Sequence, residues 1–380
     1  MIVTASDVFS HVRGSRLSMG LVTGPGAGQL THVRAPLTDA ELDSRLAVLG
    51  LVRDASVRSP PPSKNRTVVC KAGRKRVLVK IADGGGNVGV LREGSVLERV
   101  APLGRLRDSP LALPRVFAFD PAHGLLALDW IQGGETLHHY HRRTQQYPAA
   151  LASQVGEALG YLHRMSREAR SKYALADAFR DESDLLECFL RMRPDFYSRL
   201  SQVGLEFFAS VQANTPAMRG LQALSEQQQR DAESALLHGD LRQANLLRVQ
   251  NGRKVIIHYL DWELSFWGDP ARDLGSLLSD YVLGWLAPEH RSEVLPRPSL
   301  EAFAHSMLKG YQRSRQNRFK LDSAFQERVV RWIGAALLIS VYGISHYEQV
   351  LDDRAHGIAK HALDMLARPG DWPATLWGAL

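Results

Sequence analysis

Residues 236–263 read LLHGDLRQANLLRVQNGRKVIIHYLDWE. Apolar runs lie on both sides of Asn251-Gly252, a dipeptide that favours the positive φ angles of a tight turn. The segment is therefore predicted to form a β-hairpin in which the numbers of facing residues sum to about 503. Under this pairing Asp261, at the end of the second strand, returns to the neighbourhood of Asp240, which precedes the first strand.

The predicted hairpin brings three oxygen-bearing side chains to one end: Asp240, Asn245 and Asp261. Carboxylate and carboxamide oxygens suit a hard cation such as Mg²⁺, and one acid is left over as a base. This combination is typical of phosphoryl transfer. The alternative is an ordinary hairpin whose acids only cap turns.

Two motifs in this region resemble a known family. His-Gly-Asp at 238–240, followed by Asn245, resembles the HGDxxxxN catalytic loop of the aminoglycoside phosphotransferase and choline kinase-like family, relatives of the protein kinases. The continuation LDWELSFWGDPARDL, at 260–274, resembles the metal-binding segment of the same family. Two motifs at the right separation are more specific than either alone.

The resemblance implies a role for each polar residue of the two motifs. Asp240 would be the catalytic base, Asn245 and Asp261 the Mg²⁺ ligands, and Asp273 a buried structural acid. Arg242 follows the predicted base by two residues, where a fixed cation could stabilise charge on the transferred group. The alternative for Arg242 is an arginine that pairs with a surface acid.

The resemblance covers about residues 45–350 and implies an α+β, two-lobed protein-kinase-like fold, with a small antiparallel-sheet N-lobe and a larger, mainly helical C-lobe. The predicted division is an N-terminal extension at 1–36, an N-lobe at 37–131 and a C-lobe at 132–380. The implied activity moves the γ-phosphoryl group of ATP, with Mg²⁺, to a hydroxyl of a small molecule. The alternatives are a kinase of Ser/Thr in a peptide of a ribosomal-peptide (lanthipeptide-like) pathway and a non-catalytic binding module.

Lys80 is the predicted phosphate-binding cation. It stands in a β-branched strand, where a charged group needs an anion, and the resemblance implies that it holds the α- and β-phosphates. In the helix that follows, Glu93 falls on the i, i+3, i+4, i+7 apolar stripe whereas Glu98 points away from it. Glu93 is therefore the predicted partner of Lys80, in preference to Glu98 and Glu41. A lysine at a strand edge is the alternative.

Two further segments complete the predicted nucleotide site. Ser63 and Asn65 resemble the "SN"-type nucleotide-positioning loop of the family. Asp129, Trp130 and Ile131 lie at the predicted hinge between the lobes, where the resemblance implies that backbone groups bind adenine.

Local signals predict the remaining elements. The glycines at 24–28 and 84–86 are predicted to be connectors rather than phosphate loops. The predicted elements are a helix opened by a capping box at 38–41, strands at 63–70 and 76–81 with a turn at 72–73, a hairpin of 116–120 with 125–131, a long helix around 151–162, and helices within 274–380 that include 325–347.

Composition bounds the class of protein. The chain has 380 residues, of which 44% are hydrophobic and 23% charged, an ordinary globular balance with room for two cores. Only two cysteines are present, which favours a reducing compartment and hence the cytoplasm. Neither a signal peptide nor a membrane span is expected. Nucleic-acid binding is not expected either, and the sequence does not predict the oligomeric state.

The net charge of the chain bears on the charge of the acceptor. Lys and Arg number 47 against 40 Asp and Glu, a net charge of +7. Part of the excess is a basic run at 64–80, either a phosphate-binding surface or a solvated strand pair. One acidic face, at 177–187, is interrupted by arginine, so polycationic aminoglycosides are predicted to be poor substrates.

The histidine-rich run at 138–141 fits no common zinc spacing and is predicted to be a helix start.

Overall fold

The computed structural model describes residues 37–57, 66–82, 89–105, 109–168, 185–228, 230, 234–286, 295–315, 319–346 and 348–380. The predicted extension at 1–36, Ser63, Asn65, the glycine connectors at 24–28 and 84–86, and most of the acidic face at 177–187 lie outside these residues.

The described chain is α+β, as predicted. Its strands are β1 (Val52–Arg53), β2 (Arg66–Ala72), β3 (Lys75–Ile81), β4 (Val116–Asp120), β5 (Leu125–Asp129), β6 (Gly134–Thr136), β7 (Ala235–Leu237), β8 (Leu246–Asn251), β9 (Lys254–Tyr259) and β10 (Phe266–Gly268). Its helices are α1 (Asp39–Val48), α2 (Gly89–Gly104), α3 (Leu137–Thr144), α4 (Ala149–Glu168), α5 (Leu185–Leu190), α6 (Pro194–Tyr197), α7 (Gln202–Ala213), α8 (Thr215–Gln228), α9 (Ala271–Leu286), α10 (Arg297–Arg315), α11 (Ser323–Ser345), α12 (Asp353–Ala367) and α13 (Pro373–Leu376).

The first five strands form one antiparallel sheet in the order β1-β2-β3-β5-β4. Alternation along β3 buries Val77, Val79 and Ile81 on one face, where they pack with α1. Lys80 therefore belongs to the opposite face. The predicted capping box of α1 is present: the Thr38 hydroxyl accepts a hydrogen bond from Glu41 N, and the Glu41 carboxylate accepts one from Thr38 N.

The predicted hairpin at the centre of the chain is present, with a shifted turn. Leu246 faces Tyr259 and Asn251 faces Lys254, so facing numbers sum to 505 rather than about 503. Asn251 is the last strand residue instead of a turn residue, because Gly252 supplies the positive φ of +58°. The shift of two preserves the face of each side chain.

The hairpin strands β8 and β9 form a three-stranded sheet with β6, and β7 pairs with β10. One hydrophobic core cluster contains residues of α2, of the hairpin and of the C-terminal helices. This cluster therefore crosses the predicted boundary after residue 131, which stays a prediction. The second hairpin is also shorter than predicted: β5 ends at Asp129, not at residue 131.

The helices α9 and α12 pack against α11, which is 23 residues long. Its length and apolar composition would suffice to cross a membrane, but 78% of its most apolar window is buried, as in a core helix. The helices α4 and α10 approach so closely that a Cβ on Gly156 would lie 1.9 Å from the Met307 carbonyl oxygen. Glycine is therefore required at this crossing.

Candidate active site

The loop between β7 and β8 is held by a buried carboxylate. Asp273, in the first turn of α9, accepts hydrogen bonds from His238 N at 2.8 Å and Gly239 N at 3.0 Å. Gly239 has a φ of +82°, and a Cβ there would lie 2.0 Å from the Leu264 carbonyl oxygen, so only glycine fits. The structure thus places Asp273 where a structural acid of the loop is expected.

A histidine that sequence reasoning missed supports this carboxylate. His163, on α4, places Nε2 3.2 Å from Asp273 Oδ2 and Nδ1 3.0 Å from the Tyr311 hydroxyl. Burial lowers the pKa of His163, although the adjacent Asp273 opposes that effect. The residue is 110 positions from Asp273, and no local pattern marks it.

Asp240 and Asn245 are joined by hydrogen bonds within the loop. Asn245 Nδ2 donates to Asp240 O at 2.8 Å and to Asp240 Oδ2 at 3.2 Å. This assignment leaves the Asn245 carboxamide oxygen as the acceptor end of the side chain. Leu260 N donates to Asn245 O at 2.9 Å, which brings the residue before Asp261 against Asn245, as the hairpin pairing predicts.

Asp261 adopts a φ of +66°, which is uncommon for a residue other than glycine. Its carboxylate Oδ1 lies 2.6 Å from Lys80 Nζ. Burial alone would raise the pKa of Asp261, but Lys80 lowers it to about 2. This contact joins the N-terminal sheet to the hairpin across 181 residues of sequence.

Lys80 Nζ also lies 2.6 Å from Glu93 Oε2 on α2. Glu93 is completely buried, whereas Glu98 is exposed, so the predicted choice between the two glutamates agrees with the structure. Burial raises the pKa of Glu93, and Lys80 only partly offsets this. Burial disfavours the charged form of Lys80, yet attraction by Asp261 and Glu93 raises its pKa.

Arg242 is largely buried beside the predicted base. Its Nε lies 3.4 Å from Asp240 Oδ2 without hydrogen-bond geometry, and attraction by Asp240 raises the arginine pKa. Asp240 is thus the acid beside Arg242, and the catalytic role of this arginine stays a prediction. The Asp280 carboxylate nearby accepts a bond from Gln243 N at 2.9 Å, a contact that sequence reasoning missed.

Two backbone amides of the predicted hinge at 129–131 donate hydrogen bonds to neighbouring segments. Asp129 N donates to Arg115 O at 2.9 Å, and Trp130 N donates to Arg76 O at 3.2 Å. The backbone amides of Asp129 and Trp130 are therefore already hydrogen-bonded within the sheet. The groups left to bind adenine are the carbonyls of Asp129, Trp130 and Ile131 and the Ile131 amide, and adenine binding there stays a prediction.

The histidine-rich run has a structural explanation. His141 is buried in α3, with Nδ1 2.6 Å from Gln146 O and Nε2 3.1 Å from the Tyr281 hydroxyl. Both ring nitrogens are therefore used by the protein itself. Burial lowers the pKa of His141 to about 4.

The fold and this set of contacts define a kinase-like phosphotransferase. The model of the phosphotransferase enzyme family (APH) matches residues 60–318, more than half of the chain. The chain therefore belongs to that family, as the sequence resemblance predicted. A comparison with curated proteins finds no match.

Solved structures with the same fold include three kinases. Choline kinase LicA from Streptococcus pneumoniae is 17% identical, with a TM-score of 0.53 over 86% of this chain and 97% of that chain. The amicoumacin kinase hAmiN, in complex with AMP-PNP, Ca²⁺ and Ami, is 14% identical, with a TM-score of 0.57 over 90% of this chain and 96% of that chain. A microcompartment-associated aminopropanol kinase is 16% identical, with a TM-score of 0.53 over 90% and 99%. These likenesses confirm the predicted two-lobed kinase-like fold.

Proposed function

We propose that the protein transfers the γ-phosphoryl group of ATP to a hydroxyl of a small molecule, with Mg²⁺ as the divalent ion. The observation that carries this proposal is the meeting of Lys80 with Asp261 at 2.6 Å, on a strand that returns beside Asp240 and Asn245. A cation from one sheet and acids from another hairpin thus converge on one site. An ordinary hairpin with turn-capping acids gives no reason for a buried Lys80–Glu93 pair.

The proposed base is Asp240. Its backbone and carboxylate are fixed by Asn245, so the carboxylate is oriented before an acceptor binds. Asp240 would orient the acceptor hydroxyl and take its proton. Arg242, beside this carboxylate, would stabilise charge on the transferred phosphoryl group.

The donor set fits a magnesium ion. Asn245 turns its amide hydrogens to Asp240, which leaves the carboxamide oxygen for a cation, and Asp261 adds a carboxylate that is 30% exposed. Oxygen ligands of this kind are those that Mg²⁺ prefers. A bound Mg²⁺ would supply charge neutralisation for the phosphates.

Lys80 would hold the nucleotide phosphates, and Glu93 would fix the direction of its ammonium group. A role in this position agrees with the presence of AMP-PNP and Ca²⁺ in the related amicoumacin kinase structure. Ser63 and Asn65 remain candidate contacts to the nucleotide from outside the described residues.

A small-molecule acceptor is favoured over a peptide because the neighbouring structures include kinases of choline, aminopropanol and amicoumacin. The acceptor itself is to be identified by experiment. The protein is incubated with ATP, Mg²⁺ and a panel of amino alcohols, sugars, aminoglycosides and short Ser/Thr peptides, and each mixture is examined by mass spectrometry.

The expected result is phosphoryl addition to at least one small molecule, lost in Asp240→Asn. Phosphorylation confined to peptides would replace the proposed acceptor class. ATP binding without any turnover, on the panel or as hydrolysis, would point instead to a non-catalytic binding module.

A further inference from the structure

A polar cavity lies among the C-terminal helices. It has a volume of about 250 Å³ and is formed where α4 ends, α10 ends and α11 begins. Four cationic side chains line it, together with two phenylalanines, a proline and one acid: Arg167, Arg315, Lys320, Arg328, Phe319, Phe325, Pro270 and Asp322. Such a surplus of one charge favours an anionic ligand.

Arg315 is the feature that distinguishes this cavity from a basic surface patch. The residue is only 7% exposed, and its Nε has no hydrogen-bond partner among the residues that the structure describes. Its guanidinium lies over the rings of Phe319 at 4.7 Å and Tyr311 at 5.9 Å. Ring contacts of this type stabilise a cation by about 0.5–2 kcal/mol, less than the cost of burying it, so Arg315 needs an anion.

The acids near Arg315 are already used. Asp322 caps α11 by accepting a bond from Phe325 N at 2.8 Å. Asp269 is buried, pairs with Arg328 at 3.2 Å and accepts a bond from Trp332 Nε1 at 3.4 Å. Four cations against these two carboxylates leave a surplus of two positive charges.

Backbone dipoles act in the same direction. The cavity lies at the N-terminus of α11, a helix of 23 residues whose dipole favours negative charge at that end, beside the Asp322 cap. Arg167 and Lys320 are exposed at the cavity mouth, whereas Arg315 forms its buried part. A ligand can therefore enter between flexible cations and end against a fixed one.

We propose that this cavity is a binding site for a phosphate group, free or as the monoester of a small molecule. A doubly charged oxyanion matches the surplus charge, and its oxygens match the forked donors of the arginines. None of the lining residues belongs to the proposed active site. The two sites are joined by contacts, because Arg315 lies over Tyr311, whose hydroxyl contacts His163, which in turn contacts Asp273, the acid that holds the catalytic loop.

The test measures binding of inorganic phosphate to the full chain by isothermal titration calorimetry, with glycerol 3-phosphate in a parallel series. Arg315→Gln is expected to weaken phosphate binding at this site by about tenfold or more, the effect of losing a charge-assisted hydrogen bond. Arg313→Gln is the matched control, since Arg313 pairs with Glu157 and Ser153 instead. Arg315→Lys should restore part of the affinity because it keeps the charge.

Phosphate would also bind the cations of the proposed active site, so the test uses only the part of the affinity that depends on Arg315. Circular dichroism verifies that each variant folds. If Arg315→Gln does not fold, the test uses Arg167→Gln and Lys320→Gln, which change exposed residues. Each is expected to lower the phosphate affinity by about threefold. Equal affinity in wild type and these variants, or no saturable binding up to about 10 mM, would overturn the proposal. Tighter binding of the ester than of free phosphate identifies the monoester as the ligand form; equal binding identifies phosphate itself.

Discussion

Lys80 makes equally short contacts with two carboxylates, but the two are not equivalent. Glu93 is completely buried, whereas the Asp261 side chain is 30% exposed and belongs to the proposed metal site. Two acids that share one cation repel each other, and the buried acid bears the larger desolvation cost. We therefore expect the Lys80–Glu93 ion pair to persist when ligands bind, whereas the Lys80–Asp261 pair can break.

Glu93→Gln should weaken nucleotide binding by at least about tenfold, because Lys80 loses its fixed anion. Glu98→Gln is the matched control on the same helix, and it should have no effect because Glu98 is exposed. A nucleotide titration in the presence of Mg²⁺ measures both. Equal effects of the two changes would contradict the assignment.

Arg242→Ala should lower kcat by about a hundredfold with a smaller change in KM, because a cation beside the reacting groups acts mainly in the transition state. Arg253→Ala, at the exposed turn on the opposite end of the hairpin, is the control for loss of an arginine away from the site. Steady-state kinetics with the identified acceptor provides the measurement. An unchanged kcat would assign Arg242 a purely structural role.

The residues of the site were predictable to different degrees. Helical spacing alone selected Glu93, because a carboxylate on a core stripe needs a partner. The Lys80–Asp261 contact was not predicted, since it depends on a positive φ at Asp261 and on packing across 181 residues. Arg242 was predicted as a site residue two positions after Asp240, but the 3.4 Å approach of its Nε to the Asp240 carboxylate was not predicted.

Among the elements, the central hairpin shows what a local signal determines. Asn251-Gly252 located the turn within one residue, and the two-residue shift in pairing left Asp261 near Asn245. The end of β5 was less predictable. Its apolar pattern continues to Ile131, but the paired strand does not, and paired strands depend on their neighbours.

The crossing of α4 and α10 gives a prediction for stability. Gly156→Ala should destabilise the protein by about 3 kcal/mol, because the new Cβ would overlap a backbone carbonyl that cannot easily move. Gly357→Ala, on α12, has no neighbour within 4 Å and should instead stabilise by about 0.5–1 kcal/mol. Denaturant unfolding compares the two. Similar effects of both changes would show that the crossing is not tightly packed.

The buried histidine of α3 gives a pH dependence. The pKa of His141 is lowered to about 4 in the folded protein, against 6.5 for an exposed histidine, so the unfolded chain binds more protons between these values. The free energy of unfolding should therefore fall by about 3 kcal/mol as the pH decreases from 6.5 to 4.

His141→Asn should reduce this slope, whereas His139→Asn should retain it because His139 is exposed on the same helix. Denaturant unfolding at several pH values provides the measurement. An identical slope in wild type and His141→Asn would remove His141 as the titrating group.

At the scale of the whole molecule, the net charge of +7 predicts that aminoglycosides are poor substrates. Four carboxylates lie close enough to Arg242 to raise its pKa, those of Asp240, Asp280, Asp261 and Glu263, so the site itself carries acids that the net charge does not reflect. Steady-state assays of several aminoglycosides at low ionic strength, where attraction is least screened, provide the test. Efficient phosphorylation of any of them would contradict it.

The overall fold was predictable because two motifs carried the family resemblance, and the family match over 60–318 confirms it. The cavity around Arg315 was not predictable from the sequence. Its walls come from α4, α10, α11 and Pro270, which are far apart in the sequence and share no repeating pattern. The contact between His163 and Asp273, which supports the catalytic loop, was not predictable for the same reason, since the two residues are 110 positions apart.

The double contact of Lys80 has a thermodynamic consequence under the proposed function. A nucleotide phosphate that reaches Lys80 meets an ammonium group already neutralised by Asp261. Binding then exchanges one counter-charge for another, and the gain is the difference between two attractions rather than the whole of one. The displaced carboxylate becomes available at the same moment to a divalent ion, so metal and nucleotide binding should reinforce each other as coupled equilibria.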